Sequence, residues 1–292
     1  MVSASLERYS RAAQRSSAVV IGQYSTSFGL AVRLLPAESR VHIRNVYALV
    51  RLADEIVDGV AAAAGVSEER IAAALDDLEA ETYSAMASGW STNLVVHAFA
   101  TTARAVGIDR GIVTPFFTSM RMDLERASHT DASFAEYVDG SAEVVGLMSL
   151  KAFLAAGPPR TPEEIVVLEA GARRLGAAFQ KVNFLRDLAA DADGLGRAYF
   201  PDVDVAHLDE ATKTRLLVDI DADLRAAAAA LPLLEPGPRR AVALAHGLFA
   251  ELADRIRATP AATLRTTRIR VPDPVKARLA ALAVAGRLPR HR

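Results

Sequence analysis

Apolar residues recur along this chain at every third or fourth position, and alternating apolar–polar runs are scarce. That is the period of amphipathic helices rather than strands. It predicts helices over residues 4–22, 25–34, 37–59, 67–87, 91–106, 109–127, 131–157, 161–191, 209–230, 237–258 and 272–286. Pro36, Pro115, Pro162 and Pro232 fall near predicted starts or breaks, where proline is tolerated. Gly65, Gly89, Gly107 and Gly157 fall at predicted ends. Ser67 and Thr161 each precede an acidic first turn and are expected to cap it. No low-complexity linker divides the chain and no repeat of 20–50 residues stands out. The expectation is a single all-α domain over 1–292, of about ten helices.

Two predicted helices break the apolar pattern in the same way. In "YALVRLADEIVDG", Tyr47, Arg51, Asp54 and Asp58 share one face. Ala48, Leu49, Val50, Leu52, Ala53, Ile56 and Val57 surround that stripe, so the helix should be buried nearly all round. In "GAAFQKVNFLRDLAADADGLGRAYFP", Gln180, Asn183, Asp187 and Asp191 fall on one face with Arg186 beside them, between Phe179, Val182, Phe184, Leu185 and Leu188. Either stripe alone reads as well as a solvated face, with Arg51 paired to Asp54. Two of them, packed stripe to stripe, would surround a cavity with four aspartates, an amide pair and two arginines, which is how helical bundles build metal and ligand sites. Mg²⁺ takes few carboxylates together with substrate phosphate oxygens. The pattern therefore suggests a metal-bridged diphosphate with bidentate contacts from Arg51 and Arg186.

Composition narrows the field. Hydrophobic residues make up 51% and charged residues 24%, with a net charge of −1, so no overall field favours nucleic acid. Cysteine is absent, which removes disulfides, thiolate nucleophiles and Cys-ligated zinc. No uncharged apolar run reaches the ~20 residues of a membrane span, and the first residues do not read as a signal peptide, so a cytoplasmic chain is expected. The six histidines show no metal-ligand spacing and are expected in core or surface roles. Trp90, beside Gly89, is expected to pack a helix junction. The basic end (Arg287, Arg290, His291, Arg292) reads as a frayed terminus or as a loose peripheral contact with anionic membrane.

At the level of motifs the chain resembles the squalene/phytoene synthase family of head-to-head prenyl transferases. "YSTSFGLAVRLLP" (24–36) resembles the family's N-terminal segment, and "YALVRLADEIVDG" its first aspartate-rich motif. "YVDGSAEVVGLM" (137–148) resembles its mid-chain tyrosine segment, and "FQKVNFLRDLAADADGLGRAYFP" its second aspartate-rich motif with the R-x-Y-[LF]-P that follows. "MRMDL" and "RIRVPDPVKARLA" look most like bacterial phytoene synthases. The second motif departs from the usual D-V-G-E-D: the outer acids Asp187 and Asp191 stand, and the penultimate one is lost.

The resemblance implies an isoprenoid-synthase helical bundle around a central cavity. It implies Mg²⁺, or Mn²⁺, held by Asp54, Asp58, Asn183, Asp187 and Asp191, and diphosphate contacts from Arg51, Arg186, Arg197 and the hydroxyls of Ser25, Ser27 and Tyr47. Phe28, Tyr137, Gln180 and Tyr199 would line the reaction cavity, with Tyr137 among the catalytic residues, although Phe28 and Phe179 read more readily as plain core. Apart from the resemblance, the basic patch "LRTTRIR" (264–270) reads first as a solvated loop and second as a phosphate contact, with Arg268 its best candidate. The implied reaction joins two prenyl diphosphates through a cyclopropyl diphosphate. No nucleotide-binding Gly motif follows a strand, which favours a redox-neutral product, phytoene, without NADPH. Small Val32, Ala142, Gly146 and Ala177, together with Gly176, leave cavity depth for C20 geranylgeranyl diphosphate, or else allow close helix packing. The alternatives are a C15-using relative making squalene, dehydrosqualene or presqualene diphosphate, a catalytically silent relative, and a terpene cyclase.

Overall fold

The computed structural model describes residues 4–194 and 197–287, leaving aside the side chains of residues 189–194 and 205. The described residues form no strand, and one isolated bridge pairs Ser128 with Ala198. The helices are α1 (Ala4–Tyr24), α2 (Ser27–Arg33), α3 (Ala37–Val57), α4 (Val60–Ala63), α5 (Glu68–Ser88), α6 (Leu94–Val106) and α7 (Arg110–Glu125). They continue with α8 (Asp131–Val138), α9 (Val144–Ala155), α10 (Pro162–Gly194), α11 (Glu210–Ala230), α12 (Pro236–Ala258), α13 (Ala261–Leu264) and α14 (Asp273–Val284). None of the described helices is long and apolar enough to cross a membrane.

The long helix α10 is the spine, packed along α9, α11 and α12. Its register is pinned by charge inside the protein. Lys181 donates to Asp219 at 2.5 Å and to Asp223 at 2.7 Å, and Arg174 reaches Asp223 at 2.9 Å. Asp223 is 1% exposed, so its charge is tolerable only because both cations meet it. Thr161 and Glu164 close a reciprocal cap at the start of α10, each side chain accepting from the other's backbone N–H. Ser67 takes the corresponding position before α5, but its side chain makes no cap bond.

On the opposite wall, α3 buries Ala48, Leu49, Ala53 and Val57 against α1, α5 and α6. Asp58 terminates it, its N–H bonded to Asp54 O at 2.7 Å, and Gly59 follows at φ +91°, a conformation glycine adopts freely.

Three sequence expectations change. The predicted helix 131–157 is interrupted by a π-helical turn at Asp139–Glu143. There Gly140 lies so close to α7 that a Cβ would stand 2.1 Å from the Pro115 carbonyl oxygen, and Ser119 Oγ donates to the Tyr137 carbonyl at 3.1 Å. Pro115 itself sits within α7 rather than at its start. Trp90 is 54% exposed: Gly89 turns the chain outward at φ +83°, and Arg104 holds the junction instead, donating to the Met86 and Ala87 carbonyls. His97 and His246 are buried in the core, as a structural reading of the histidines expected.

Candidate active site

A cavity of about 950 Å³ opens between α2, α3, the π-turn, α9, α10 and α12, near the upper end of the ~300–1,000 Å³ typical of ligand sites. Tyr47, Arg51 and Asp54 from α3 line it, together with Gln180, Asn183 and Arg186 from α10. Ser25, Ser27, Phe28 and Val32 contribute from the chain around α2, and Arg268 from the segment before α14. Much of the remaining wall is apolar, with Val145, Leu150, Leu175 and Leu248 among it. Phe28 stacks on Tyr47 with centroids 5.9 Å apart, and Phe179 stacks on Phe249 at 3.8 Å.

On the α3 side, Arg51 bonds Glu55 rather than being held mainly by Asp54, which lies 3.9 Å away. Its guanidinium sits 4.5 Å above the Tyr24 ring. Desolvation, reinforced by the neighbouring Asp58 charge and only partly offset by Arg51, pushes Asp54 up to about 8. Its side chain keeps 29% of its surface accessible and lines the cavity. Burial likewise raises Tyr47.

On the α10 side, the Asp187 carboxylate is gripped by Arg186, at 3.0 Å from Nε and 2.5 Å from Nη2, and by Arg268, at 2.8 Å from Nε. Asp187 does not itself line the cavity, while both of its arginines do. Asn183 faces the cavity with its amide Oδ1 buried and without a hydrogen-bond partner among the described residues. Such an orphan costs roughly 1–3 kcal/mol and calls for a partner that the described residues do not supply. The side chain of Asp191 lies outside the described residues, as do Arg290, His291 and Arg292; Arg287 is exposed.

Among the described residues no three acidic or histidine side chains converge on one point. The acids stand on two separate helices instead. An orphaned amide oxygen and a carboxylate on the wall of one cavity are oxygen donors of the kind Mg²⁺ accepts when phosphate completes its shell. The residues present thus fit a divalent cation bridged by diphosphate.

Tyr137, Tyr199, Arg197 and Asp58 do not line the cavity. Tyr137, Tyr199 and Arg197 meet in a buried cluster around Asp123 on α7, and Arg197 links it to the exposed Asp58. Asp123 accepts from Tyr137 at 2.9 Å and Tyr199 at 3.2 Å and lies 3.5 Å from Arg197. Arg197 donates to Asp58 at 3.0 Å and to the Val57 carbonyl at 2.7 Å. Burial raises Asp123 to about 6, against the pull of Arg197. Burial and the adjacent Asp123 push the Tyr137 hydroxyl well above its ordinary range. Burial opposes the Arg197 charge, and Asp123 outweighs it, so its pKa is raised.

Of the small residues, Val32, Ala142 and Gly146 line the cavity, and Ala177 packs into the core. Gly146 serves close packing as well, since a Cβ there would stand 2.3 Å from Ala172 O; one at Gly176 would stand 2.3 Å from Ala142 O. The sequence reading passed over Tyr24, Glu55, Asp123 and Lys276. Glu55 had a signal, lying one turn after Arg51 on the same face. Asp123, flanked by Met122 and Leu124, also had one, since an acid inside an apolar run needs a partner.

The sequence model for squalene/phytoene synthases matches residues 21–274. The chain belongs to the squalene/phytoene synthase family. Similar curated proteins include a chloroplastic phytoene synthase of Zea mays, 31% identical over 66% of this chain and 44% of its own length. The phytoene synthase of Arthrospira platensis is 32% identical over 64% of this chain and 60% of its own length. The chain thus spans about half the length of the curated relatives it matches. Among solved structures, a dehydrosqualene synthase in complex with ligand superposes with a TM-score of 0.79 at 21% identity, over 96% of this chain and 98% of that one. A squalene synthase from Alicyclobacillus acidocaldarius gives 0.71 at 20% identity, over 85% of this chain and 94% of that one. Both show the same all-α fold.

Proposed function

We propose that this chain is a Mg²⁺-dependent prenyltransferase that joins two geranylgeranyl diphosphates head to head, giving phytoene by way of prephytoene diphosphate. The observation that carries the reading is the large cavity on which Arg51, Asp54, Asn183 and Arg186 meet from opposite helices, its remaining wall largely apolar. The phytoene synthases among its relatives support the same choice.

Asp54 and Asn183, with Asp58, Asp187 and Asp191, would hold the cation, which when bound neutralises diphosphate charge and makes it a better leaving group. Arg51, Arg186, Arg268 and the hydroxyls of Tyr47, Ser25 and Ser27 bind and orient the diphosphate oxygens. The apolar wall would keep water from the allylic cation, and the Phe28, Tyr47 and Phe179 rings on that wall would stabilise positive charge.

In the first stage one C–O bond breaks, the C2=C3 alkene of the second substrate captures the cation, and proton loss closes the cyclopropane. In the second stage the remaining C–O bond breaks, the skeleton rearranges, and a second proton leaves to form the central alkene. Two diphosphates and two protons are released. The conversion is redox-neutral, so the proposal calls for no NADPH. Small Val32, with Ala142 and Gly146, favours C20 substrates over C15.

The test is incubation of the purified chain with geranylgeranyl diphosphate and Mg²⁺, followed by mass analysis of the extracted hydrocarbon. Phytoene is expected. Parallel incubation with farnesyl diphosphate, with and without NADPH, covers the C15 products; a C30 product with none from C20 overturns the chain length. No condensation product from either substrate overturns the reading.

A further inference from the structure

Among the described residues Arg197 has two acidic neighbours, Asp58 and Asp123. Its side chain is 8% exposed, with Nη1 3.0 Å from Asp58 Oδ1 and 3.5 Å from Asp123 Oδ1. Nη1 also lies 3.2 Å from the Tyr199 hydroxyl, and Nη2 is spent on the Val57 carbonyl. Asp123 is fixed independently of the arginine, because Tyr137 and Tyr199 each donate a hydroxyl to it. Its side chain is 4% exposed, whereas that of Asp58 is 38% exposed and open to a solute.

A guanidinium with one carboxylate neighbour tends toward a two-pronged pair that occupies both oxygens. Here Nη2 is held by the Val57 carbonyl and Nη1 is shared with Asp123 across 3.5 Å, so among the described residues only Oδ1 of Asp58 is engaged. We propose that Asp123 is a positioning residue, which draws Arg197 back so that Asp58 keeps an oxygen free for a divalent cation. This rests on the prenyltransferase reading above and adds a residue that touches neither substrate nor cation. A purely structural anchor would tie the same elements together, so the test needs a readout that such an anchor would not move.

That readout is calorimetric titration of Mg²⁺ into the full chain with inorganic diphosphate present, with folding checked by circular dichroism. Asp123→Asn keeps the shape and removes the charge. It should weaken Mg²⁺ binding about 10-fold, as loss of an outer partner of a metal ligand commonly does. Adding Arg197→Gln to Asp123→Asn should recover most of that loss, because the competitor for Asp58 is gone. Unchanged binding in Asp123→Asn overturns the proposal, and so does a double variant that recovers nothing. If Asp123→Asn does not fold, Tyr137→Phe decides. Freed of one hydroxyl, Asp123 can turn further toward Arg197, so binding should hold or tighten, and weakening overturns the proposal. A wild-type chain that binds no Mg²⁺ with diphosphate sinks the reading of the site itself, which separates the two failures.

Discussion

Arg268 reaches from the segment before α14 to place Nε 2.8 Å from Asp187 Oδ1, on the carboxylate that Arg186 grips from within α10. The Arg268 side chain is 55% exposed. An ion pair that open to water is worth only ~0–1 kcal/mol. Arg268→Ala should therefore barely change the melting temperature. If Arg268 contacts diphosphate, as its place on the cavity suggests, the same variant should raise KM about 10-fold, equivalent to roughly 1.4 kcal/mol. Thermal melts beside steady-state kinetics check both halves; an unchanged KM would leave Arg268 only its structural pairing.

Asn183 gives the opposite balance. Its Oδ1 is buried without a partner among the described residues, so the ligand-free protein bears a desolvation cost there. Asn183→Ala should leave the ligand-free chain as stable as wild type or slightly more so. It should nevertheless lower Mg²⁺-dependent turnover by at least about 10-fold, on the scale seen when a metal site is disturbed. Denaturant unfolding without metal, set against activity, reads the two effects separately. A large loss of stability would mean that the amide is a structural residue.

How far this could be read from sequence follows from which interactions are local. Helix ends within a few residues were legible, because caps, glycines and the 3.6-residue period act over short spans. The stripes on α3 and α10 were legible for the same reason, and Tyr47, Arg51, Asp54, Gln180, Asn183 and Arg186 do meet on one cavity, whereas Asp58 and Asp187 are drawn off it by Arg197, Arg186 and Arg268, partners that lie off their stripes. The π-turn at Asp139–Glu143 was not, because its cause is a neighbour: Gly140 approaches Pro115 on another helix. Trp90 was misplaced because its surroundings depend on Arg104 capping the preceding helix. The Asp123 cluster draws on residues from positions 57 to 199, and no window along the chain contains it.

Val32 is 3% exposed and clusters with Ile21, Leu35, Ile43, Ala152 and Ala241 at the cavity wall. Val32→Phe would fill depth that the valine leaves open. The expected outcome is a shift of products from C40 toward C30, read by mass analysis of hydrocarbons made from mixed prenyl diphosphates. Overpacking typically costs ~1–3 kcal/mol, and here the ring has a cavity to enter, so the lower end is expected. Normal C40 output from a folded variant would remove Val32 from the determinants of chain length.

The raised Asp54 makes a pH prediction with a definite sign. Its carboxyl is pushed from 3.8 to about 8 by desolvation and by Asp58. Between those values the folded chain binds a proton that the unfolded chain has released. Stability from the neutral Asp54 is thus fully present below about 4 and is lost as pH rises through about 8. The metal-free melting temperature should fall across that window, and Asp54→Asn should flatten its share of the fall. A cation needs the carboxylate, so it must displace the proton. Mg²⁺ affinity in the presence of diphosphate should climb with pH, at most about 10-fold per unit, and level off above about 8. Calorimetry near pH 7 in two buffers of different ionisation enthalpy should report proton release on binding. Asp54→Asn should release fewer protons, the difference from wild type being the proton held by Asp54, since diphosphate releases its own in both. Equal release from the wild type and the variant would show that Asp54 is already ionised there, or that it does not meet the cation.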